Sequence, residues 1–143
     1  MCIRDSLSGG ELQKVAVATC LLKKVDLYAL DEPSAFLDVE DRIAVGKFLQ
    51  KFCRSFGKSA IVIDHDLQLM DLVSDSMVIF EGVSSVEGYA TSPLPKIDAM
   101  NRFLKSLEIT FRRDEKSRRP RVNKDGSRLD KDQKDNQNYY YKK

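Results

Sequence analysis

LYALDEPSAFLD, from Leu27 to Asp38, is the stretch that decides the fold. An apolar run of strand length ends in two adjacent carboxylates, and Pro33 then removes a backbone donor, so regular strand pairing stops at the acids. In an open α/β sheet ligands bind beyond the carboxyl ends of the strands, which predicts that Asp31 and Glu32 lie at the ligand edge. Neighbouring strand residues point to opposite sides, so one acid suits a hydrated metal ion and the other suits activation of a water. A polar strand end without chemistry is the simpler alternative.

A second strand is predicted at residues 59–63, SAIVI, whose continuous and β-branched pattern is typical of a parallel strand covered on both faces. It ends in polar residues that include His65, the only histidine in the chain. Between the two strands, Asp38 is a good helix N-cap and Gly57 a good helix stop, which predicts a crossover helix. Because such a crossover brings the carboxyl ends of parallel strands to one edge, we expect His65 and Glu32 to be neighbours. A purely structural histidine is the alternative.

A helix is predicted to open at LSGGE, residues 7–11. Ser8 and Glu11 have the spacing of a capping box, in which each side chain satisfies a backbone donor of the first turn. Gly9 and Gly10 carry no Cβ, so an anion can approach the amides, and the helix dipole favours negative charge there. The motif predicts a phosphate-binding helix end, with an ordinary capped helix as the alternative. The expected apolar positions of this helix are Leu12, Val15, Ala16, Thr19 and Leu22.

The composition is that of an ordinary globular domain. The 143 residues are 42% hydrophobic and 32% charged, and no apolar run approaches the ~20 residues that a membrane span needs. No signal peptide is recognisable at the start, which predicts a cytoplasmic protein without a membrane contact. The three cysteines, Cys2, Cys20 and Cys53, have no metal-binding or disulfide spacing, and we expect them to fill space in the core.

The later part of the chain is organised more weakly. A third strand is expected at residues 77–80, a loop at 82–95 and an amphipathic helix from Ile97 to Leu107. From Arg112 onward there are 12 Lys or Arg against 6 Asp or Glu, whereas the whole chain has a formal charge of only +2. This basic end predicts an acidic partner, either nucleic acid or another protein face, unless it is a solvated surface. Residues 130–143 are expected to be poorly ordered.

Three motifs therefore follow one another: LSGGE, a strand ending in DE followed by SAFLD, and a strand ending in histidine. In order and separation they resemble the second half of an ATP-binding cassette (ABC) ATPase domain. The resemblance implies an α/β protein with a partial P-loop NTPase fold, a mostly parallel sheet with flanking helices, and no Walker A half. No GxxxxGK[ST] phosphate loop occurs in the sequence.

The resemblance implies a role for each motif. Asp31 would be the Walker B aspartate that holds Mg²⁺, Glu32 the catalytic carboxylate that polarises the attacking water, and His65 the switch histidine that contacts the γ-phosphate. Asp38 would belong to the D-loop, which crosses to the partner domain. Signature residues that would clamp the ATP carried by the opposite domain are Ser8, Gly9, Gly10 and Glu11.

The C-terminal segment is similar to the end of subfamily E, the ribosome-recycling ATPases also called ribonuclease L inhibitors. MNRFL at residues 100–104, LEITFRRD at 107–114 and RPRVNK at 119–124 carry this resemblance. It implies a soluble twin-cassette ATPase with iron–sulfur clusters in an N-terminal domain that this chain lacks. The expected divisions are a lead-in at 1–6 foreign to the family, a cassette half at 7–96, a helix and hinge at 97–129, and a tail at 130–143.

The implied function is ATP binding and hydrolysis coupled to ribosome splitting, with ATP and Mg²⁺ as ligands. Implied partners are the opposite nucleotide-binding domain, the small ribosomal subunit and release or recycling factors. Ribosomal RNA contacts are expected for Arg112, Arg113, Arg118, Arg119 and Arg121. Without a phosphate loop, we expect the chain alone to be inactive as an ATPase and its sheet to expose apolar surface. Two alternatives stay open: the ATPase subunit of a membrane transporter, and a non-catalytic module that docks to a partner cassette through its signature helix. The effect of Asp64 beside the switch histidine is not predicted.

Overall fold

The computed structural model describes residues 6–83, 85–114 and 120–141. The chain forms two compact units, Met1–Val73 and Ser74–Lys143. This division does not coincide with the boundary expected after residue 96, which remains a prediction about the family's domain organisation. Within the described ranges, none of the helices is both long and apolar enough to cross a membrane.

The first unit alternates helices and strands. Its elements are α1 (Gly9–Leu21), β1 (Leu27–Asp31), α2 (Val39–Phe56), β2 (Ser59–Ile63) and α3 (Leu67–Val73). The two strands are parallel neighbours in register, with Leu27 opposite Ser59 and Asp31 opposite Ile63. Asp38 caps the start of α2, and Gly57, in a left-handed conformation at φ 60°, ends it. The strand, crossover helix and parallel strand predicted from the sequence are confirmed.

One face of the β1–β2 pair carries the core of this unit. Tyr28 and Leu30 are buried against Val17 and Leu21 of α1 and Leu49 of α2. The Tyr28 ring meets Phe52 edge-on at 5.6 Å between centroids, and its hydroxyl donates to the Lys23 carbonyl at 2.7 Å. Burying side chains of this size contributes about 1.5–3 kcal/mol each, so this face orders the strands that carry the acids.

The other face of the pair is open. Leu27, Ile61 and Ile63 are 55%, 54% and 60% exposed. The expectation that residues 59–63 are covered on both faces is therefore wrong for this chain, because helices pack on one side only. The exposed apolar surface expected for a sheet without its Walker A half is confirmed.

The buried face of α1 also differs from the prediction. Val17 and Leu21 are buried, whereas Val15 is 52% and Leu22 82% exposed. The predicted apolar face of α1 was therefore displaced along the sequence from the face that is buried. Val15, Ala16 and Val17 are all apolar, so periodicity alone does not show which of them points to the core. Cys20 packs against the core and Cys53 is half-buried with a raised pKa caused by burial, as expected for space-filling cysteines. Cys2 lies outside the described residues.

The second unit is built from short elements. They are β3 (Ser76–Met77), β4 (Phe80–Val83), β5 (Glu87–Ala90), β6 (Leu94–Pro95), α4 (Lys96–Ser106), β7 (Phe111–Arg113), β8 (Pro120–Val122) and α5 (Arg128–Asp135). The pairs β3–β6, β4–β5 and β7–β8 are antiparallel. The predicted strand at residues 77–80 is wrong, since β3 ends at Met77 and β4 begins at Phe80. The predicted loop at 82–95 instead contributes to two strand pairs. A mostly parallel sheet was expected. Among the described residues, β1–β2 is the only parallel pair of strands.

Residues 130–141 are ordered around a buried polar cluster, contrary to the expectation for them, whereas residues 142 and 143 lie outside the described residues. Asp130 is 2% exposed, and its carboxylate accepts hydrogen bonds from the Thr110 hydroxyl at 2.6 Å and the Gly126 amide at 3.0 Å. Gln133 donates to the carbonyls of Phe111 and Asn138, both at 3.0 Å. The prediction fails because a polar, charged composition predicts disorder only when its polar groups find no buried partners.

Candidate functional site

The site predicted at the strand ends is assembled. Glu32 follows β1 and His65 follows β2, and the distance from His65 Nδ1 to Glu32 Oε1 is 3.6 Å. Both side chains are largely exposed, at 80% for the imidazole and 57% for the carboxylate. The expected neighbourhood of the two residues is confirmed. They present a carboxylate and an imidazole together to whatever binds at the rim.

Glu32 has an unusual backbone that its neighbours hold in place. Its φ is 44°, a left-handed value that a non-glycine residue rarely adopts. Its amide donates to the Ile63 carbonyl at 2.7 Å, and its carbonyl accepts from the Gln13 side chain of α1 at 3.0 Å. Such a conformation costs of order 1–3 kcal/mol of stability. The two hydrogen bonds hold the backbone of Glu32 in it and so determine the direction of its side chain.

His65 is positioned through its two sequence neighbours. The Asp64 carboxylate accepts from the Ser34 hydroxyl at 3.0 Å and from the Ser34 amide at 3.2 Å, which ties the loop after β2 to the loop after Glu32. Asp66 accepts from the Leu69 amide at 2.8 Å and so caps α3. Asp64 thus has a structural task, which the sequence did not reveal. The imidazole is held by its backbone, and its exposed ring can turn toward a ligand.

Asp31 fits a magnesium ion that keeps its waters. It ends β1 on the open face of the sheet and is exposed. Across residues 6–83, 85–114 and 120–141 there is no cluster of three or more His, Cys, Asp or Glu side chains suited to a metal ion. Mg²⁺ is usually held by one or two carboxylates together with waters and substrate phosphates, so a single strand-end aspartate matches this mode of binding.

The glycine-containing helix start and the end of the LYALDEPSAFLD stretch share one cleft. We call it the signature cleft; its volume is about 610 Å³ and its lining residues are Ser8, Gly9, Gly10, Glu11, Lys14, Phe36, Asp38 and Asp41. The resemblance assigns five residues to nucleotide binding in addition to those at the strand ends. All five line this cleft: Ser8, Gly9, Gly10, Glu11 and Asp38. The capping box is confirmed: the Ser8 amide donates to the Glu11 carboxylate at 2.8 Å, and the Glu11 amide donates to the Ser8 hydroxyl at 3.3 Å.

The charges in the signature cleft are mostly negative. The Ser8 amide and hydroxyl lower the pKa of Glu11, and Asp38 and Asp41 add two further carboxylates. Lys14 is the one cation among the described lining residues, and its bond to Asp41 at 2.7 Å raises its pKa. The lining as a whole is therefore unfavourable for a free phosphate, although the helix end itself favours one. A binding site for a nucleotide needs cations from elsewhere.

Phe36 explains why the helix begins with glycine. Its φ is 61° and its side chain is 82% exposed beside Gly9. A Cβ on Gly10 would lie 2.9 Å from the Phe36 carbonyl oxygen, whereas one on Gly9 would make an ordinary 3.6 Å contact with the Phe36 side chain. Gly10 is required by this close backbone approach.

We therefore expect Gly10→Ala to destabilise the first unit by about 1–3 kcal/mol, the usual cost of overpacking. Gly9→Ala is the matched control, and it should be neutral or stabilising because alanine is the better helix former by about 1 kcal/mol. Urea unfolding of the two variants measures the difference. Equal midpoints for the two variants would contradict the close approach at Gly10.

The basic residues expected to contact RNA divide into three groups. Arg112 and Arg121 are exposed and directly opposite each other in β7–β8. Arg113 is half-buried, with its guanidinium 4.5 Å from the centre of the Tyr141 ring. Arg118 and Arg119 lie outside the described residues. Like charges opposite each other on one face destabilise a strand pair, and Asp114 relieves this by pairing with Arg121 at 3.2 Å.

Sequence reasoning missed the residues that hold the site together. They are Gln13, Ser34 and Arg42, each of which bonds to a loop that carries a predicted site residue. No motif marks them, because their importance depends on which loops meet in space. Asp66 had a usable signal, since an aspartate three residues before Leu69 at the start of an apolar run is typical of a helix cap.

Comparisons with known proteins agree with this geometry. The family model described as ABC transporter matches residues 2–35. Translation initiation factor RLI1 of Saccharomyces cerevisiae is 44% identical over 135 residues, which cover 94% of this chain and 22% of that protein. The chain therefore spans about a fifth of the length of such a curated relative.

Two solved structures extend the similarity to the fold. One is the crystal structure of the complex of archaeal ribosomal stalk protein aP1 and archaeal ribosome recycling factor aABCE1, with a TM-score of 0.89 at 48% identity, covering 96% of this chain and 27% of that one. The other is a model of ribosome-bound archaeal Pelota and ABCE1, with a TM-score of 0.90 at 49% identity, covering 96% and 23%. The predicted α/β class and partial ABC ATPase fold are confirmed. The chain belongs to the ABC ATPases, and within them to the family of RLI1, ABCE1 and the RNase L inhibitors.

Proposed function

We propose that this chain supplies part of two composite ATP sites in a twin-cassette ATPase that couples nucleotide binding and hydrolysis to ribosome splitting. The observation that carries the proposal is the 3.6 Å approach of Glu32 and His65 at the carboxyl ends of two parallel strands. A carboxylate able to polarise a water and an imidazole able to contact a phosphoryl oxygen are the groups that hydrolysis of a terminal phosphate needs.

At the first of these sites, Glu32 acts as the base that orients the attacking water and His65 donates to the γ-phosphate. Asp31 holds Mg²⁺, which neutralises phosphate charge when bound. The strained φ of Glu32 supports this role, since backbone strain that the surroundings enforce is found at catalytic residues. Exposure of both side chains also supports it, because the reacting phosphate then arrives from outside this chain.

The signature cleft belongs to the second site. The backbone amides at the N-terminus of α1, at Ser8, Gly9 and Gly10, face a nucleotide carried by the opposite domain. Asp38 contacts that domain. The surplus of carboxylates in the cleft supports a composite site, since the cations must come with the opposite domain. Because its sequence contains no phosphate loop, we expect the chain alone neither to bind ATP tightly nor to hydrolyse it.

Ribosome splitting rests on the similarity to archaeal ribosome recycling factor and on the exposed arginines of β7–β8. The relatives that align across nearly the whole chain include RLI1 and this recycling factor, which favours a ribosomal role over a transporter subunit. The docking alternative, in which the signature helix α1 binds a partner cassette, has an observation in its favour: Val15 of α1 and its C-cap residue Leu22 are exposed, at 52% and 82%. A nucleotide-independent complex with a partner cassette would support it.

The test is made in a complete protein. Residues 7–141 of this chain replace the corresponding segment of the archaeal recycling factor, and we call this chimera the completed protein. We expect it to hydrolyse ATP and to split ribosomes into subunits in an ATP-dependent way, as measured by light scattering. A chimera that hydrolyses ATP but leaves ribosomes intact, although the unmodified factor splits them, would contradict the ribosomal role.

The arginine prediction uses the same chimera. Reversing Arg112 and Arg121 to Glu should weaken binding to the small ribosomal subunit and lower the slope of log affinity against log salt by about 2, one for each lost phosphate contact. Reversal of Lys47 and Lys51, both on α2, is the matched control. An unchanged salt slope in the arginine variant would exclude the RNA contact.

A further inference from the structure

We infer that Arg42 is a positioning residue that links the loop carrying Asp38 to the loop carrying His65. Its guanidinium pairs with the Asp66 carboxylate and donates to the Leu37 carbonyl at 3.1 Å. Leu37 precedes Asp38 and Asp66 follows His65. Arg42 thus connects the neighbours of two predicted site residues. Asp38 is expected to reach the opposite cassette, and His65 is expected to contact the ATP bound by its own cassette.

The contacts are built for stiffness. Only 30% of the Arg42 side chain and 16% of the Asp66 side chain are exposed, so the pair is screened less than a surface ion pair. Asp66 is itself fixed, since it accepts from the Leu69 amide and its own amide donates to Asp64 at 2.8 Å. If the Leu37 carbonyl moves, Arg42 and Asp66 therefore move with it and shift the adjacent His65.

The planar fork of arginine is what makes the link. One guanidinium nitrogen serves Asp66 while another serves Leu37, whereas a lysine ammonium is a point charge that satisfies one partner well. The remaining Nε of Arg42 is buried without a partner among the described residues. Arg42→Lys keeps the positive charge, but its single ammonium cannot hold both partners in this geometry, so the substitution breaks the link.

The inference rests on the proposed function, in which Asp38 and His65 serve different nucleotides. Its consequence is that the state of one nucleotide site is transmitted to the catalytic groups of the other through Arg42, beside the Ser34–Asp64 hydrogen bonds that join the same two loops. Loss of the link should slow the chemical step without changing the affinity for ATP, because the ligand contacts themselves remain.

The test is Arg42→Lys in the completed protein. We expect kcat for ATP to fall by about 10- to 100-fold, as for a catalytic group displaced by a fraction of an ångström to one ångström. KM should change by less than about twofold, since an interaction needed only in the transition state is lost. Lys58→Met is the control, because it removes the Lys58–Asp26 ion pair of 2.6 Å at the far end of the strands and should leave kcat unchanged.

Amide hydrogen exchange on the 143-residue chain gives a readout that does not need ATP. In Arg42→Lys the amides of Leu37 and Leu69 should exchange faster together, while those of β1 stay as in the parent. Acceleration of one loop only, or a uniform acceleration of the whole unit, would overturn the link.

The kinetic outcomes separate the two claims. If Glu32→Gln abolishes hydrolysis and Arg42→Lys has the parent kcat, the link is wrong and the proposed function stands. If the fall in kcat of Arg42→Lys equals the fall in the fraction of folded protein, as measured by thermal unfolding, then Arg42 only stabilises the fold. In that case the link is again wrong. If Glu32→Gln itself leaves hydrolysis unchanged, the proposed function fails and the inference falls with it.

Discussion

Glu32→Gln in the completed protein should lower ATP hydrolysis by about 10²- to 10⁴-fold, the usual contribution of a positioned general base. The amide keeps the shape of the side chain and its place beside His65, but it cannot polarise the attacking water. ATP binding should be retained, because the phosphates are held by other groups. A single-turnover assay with radiolabelled ATP separates the two effects.

The control for this substitution is Glu40→Gln, which neutralises an exposed carboxylate in the first turn of α2 that is not among the predicted site residues. It should leave turnover unchanged. Because a twin-cassette protein contains a second catalytic site, the assay is run with the other cassette's site inactivated. Residual turnover equal to that of the parent would mean that Glu32 is not the base.

The second large effect is expected at Asp130, where acid should unfold the polar cluster of the second unit. The Thr110 hydroxyl, the Lys134 ammonium and the Gly126 amide lower the pKa of this carboxyl to about 2 from an ordinary value of 3.8. A lowered pKa in the folded state means that the charged form stabilises the fold above the ordinary pKa. That stabilisation is lost as the pH falls from about 4 to about 2.

Asp130→Asn should therefore be less stable than the parent at neutral pH, and its stability should change less across this acid range. Asp135→Asn, which removes an exposed carboxylate of the same helix, is the control and should titrate like the parent. Amide exchange at Phe111 and Asn123 reports the second unit directly. If the Asp130→Asn protein lost stability with acid as steeply as the parent, the role of this carboxylate would be contradicted.

The sequence predicted the first unit well because its signals were local and strong. An apolar run closed by Pro33, a cap at Asp38 and a stop at Gly57 determine one strand and one helix almost without reference to the rest of the chain. Parallel pairing then follows from the crossover rule, and with it the meeting of Glu32 and His65. The apolar pattern of residues 59–63 by itself predicted cover on both faces, and only the absent phosphate loop indicated that apolar surface would be exposed.

The second unit was predicted poorly because its order comes from contacts between distant polar residues. Thr110, Asn123 and Asp130 carry no apolar pattern, yet their side chains bond to one another in the interior. Residues 130–141 therefore have the composition of a disordered segment and the structure of a packed one. The same limit applies to Arg42, whose two partners are separated from it by 5 and 24 residues along the chain.

The most direct test of the two composite ATP sites is a crystal structure of the completed protein with Mg²⁺ and a non-hydrolysable ATP analogue. We expect Glu32 and His65 to face the γ-phosphate of one nucleotide, with Asp31 toward its Mg²⁺. Ser8 and Gly10 should face a second nucleotide held by the opposite cassette. A structure in which all of these residues surround the same nucleotide, or in which Glu32 and His65 face solvent with both nucleotides bound, would contradict it.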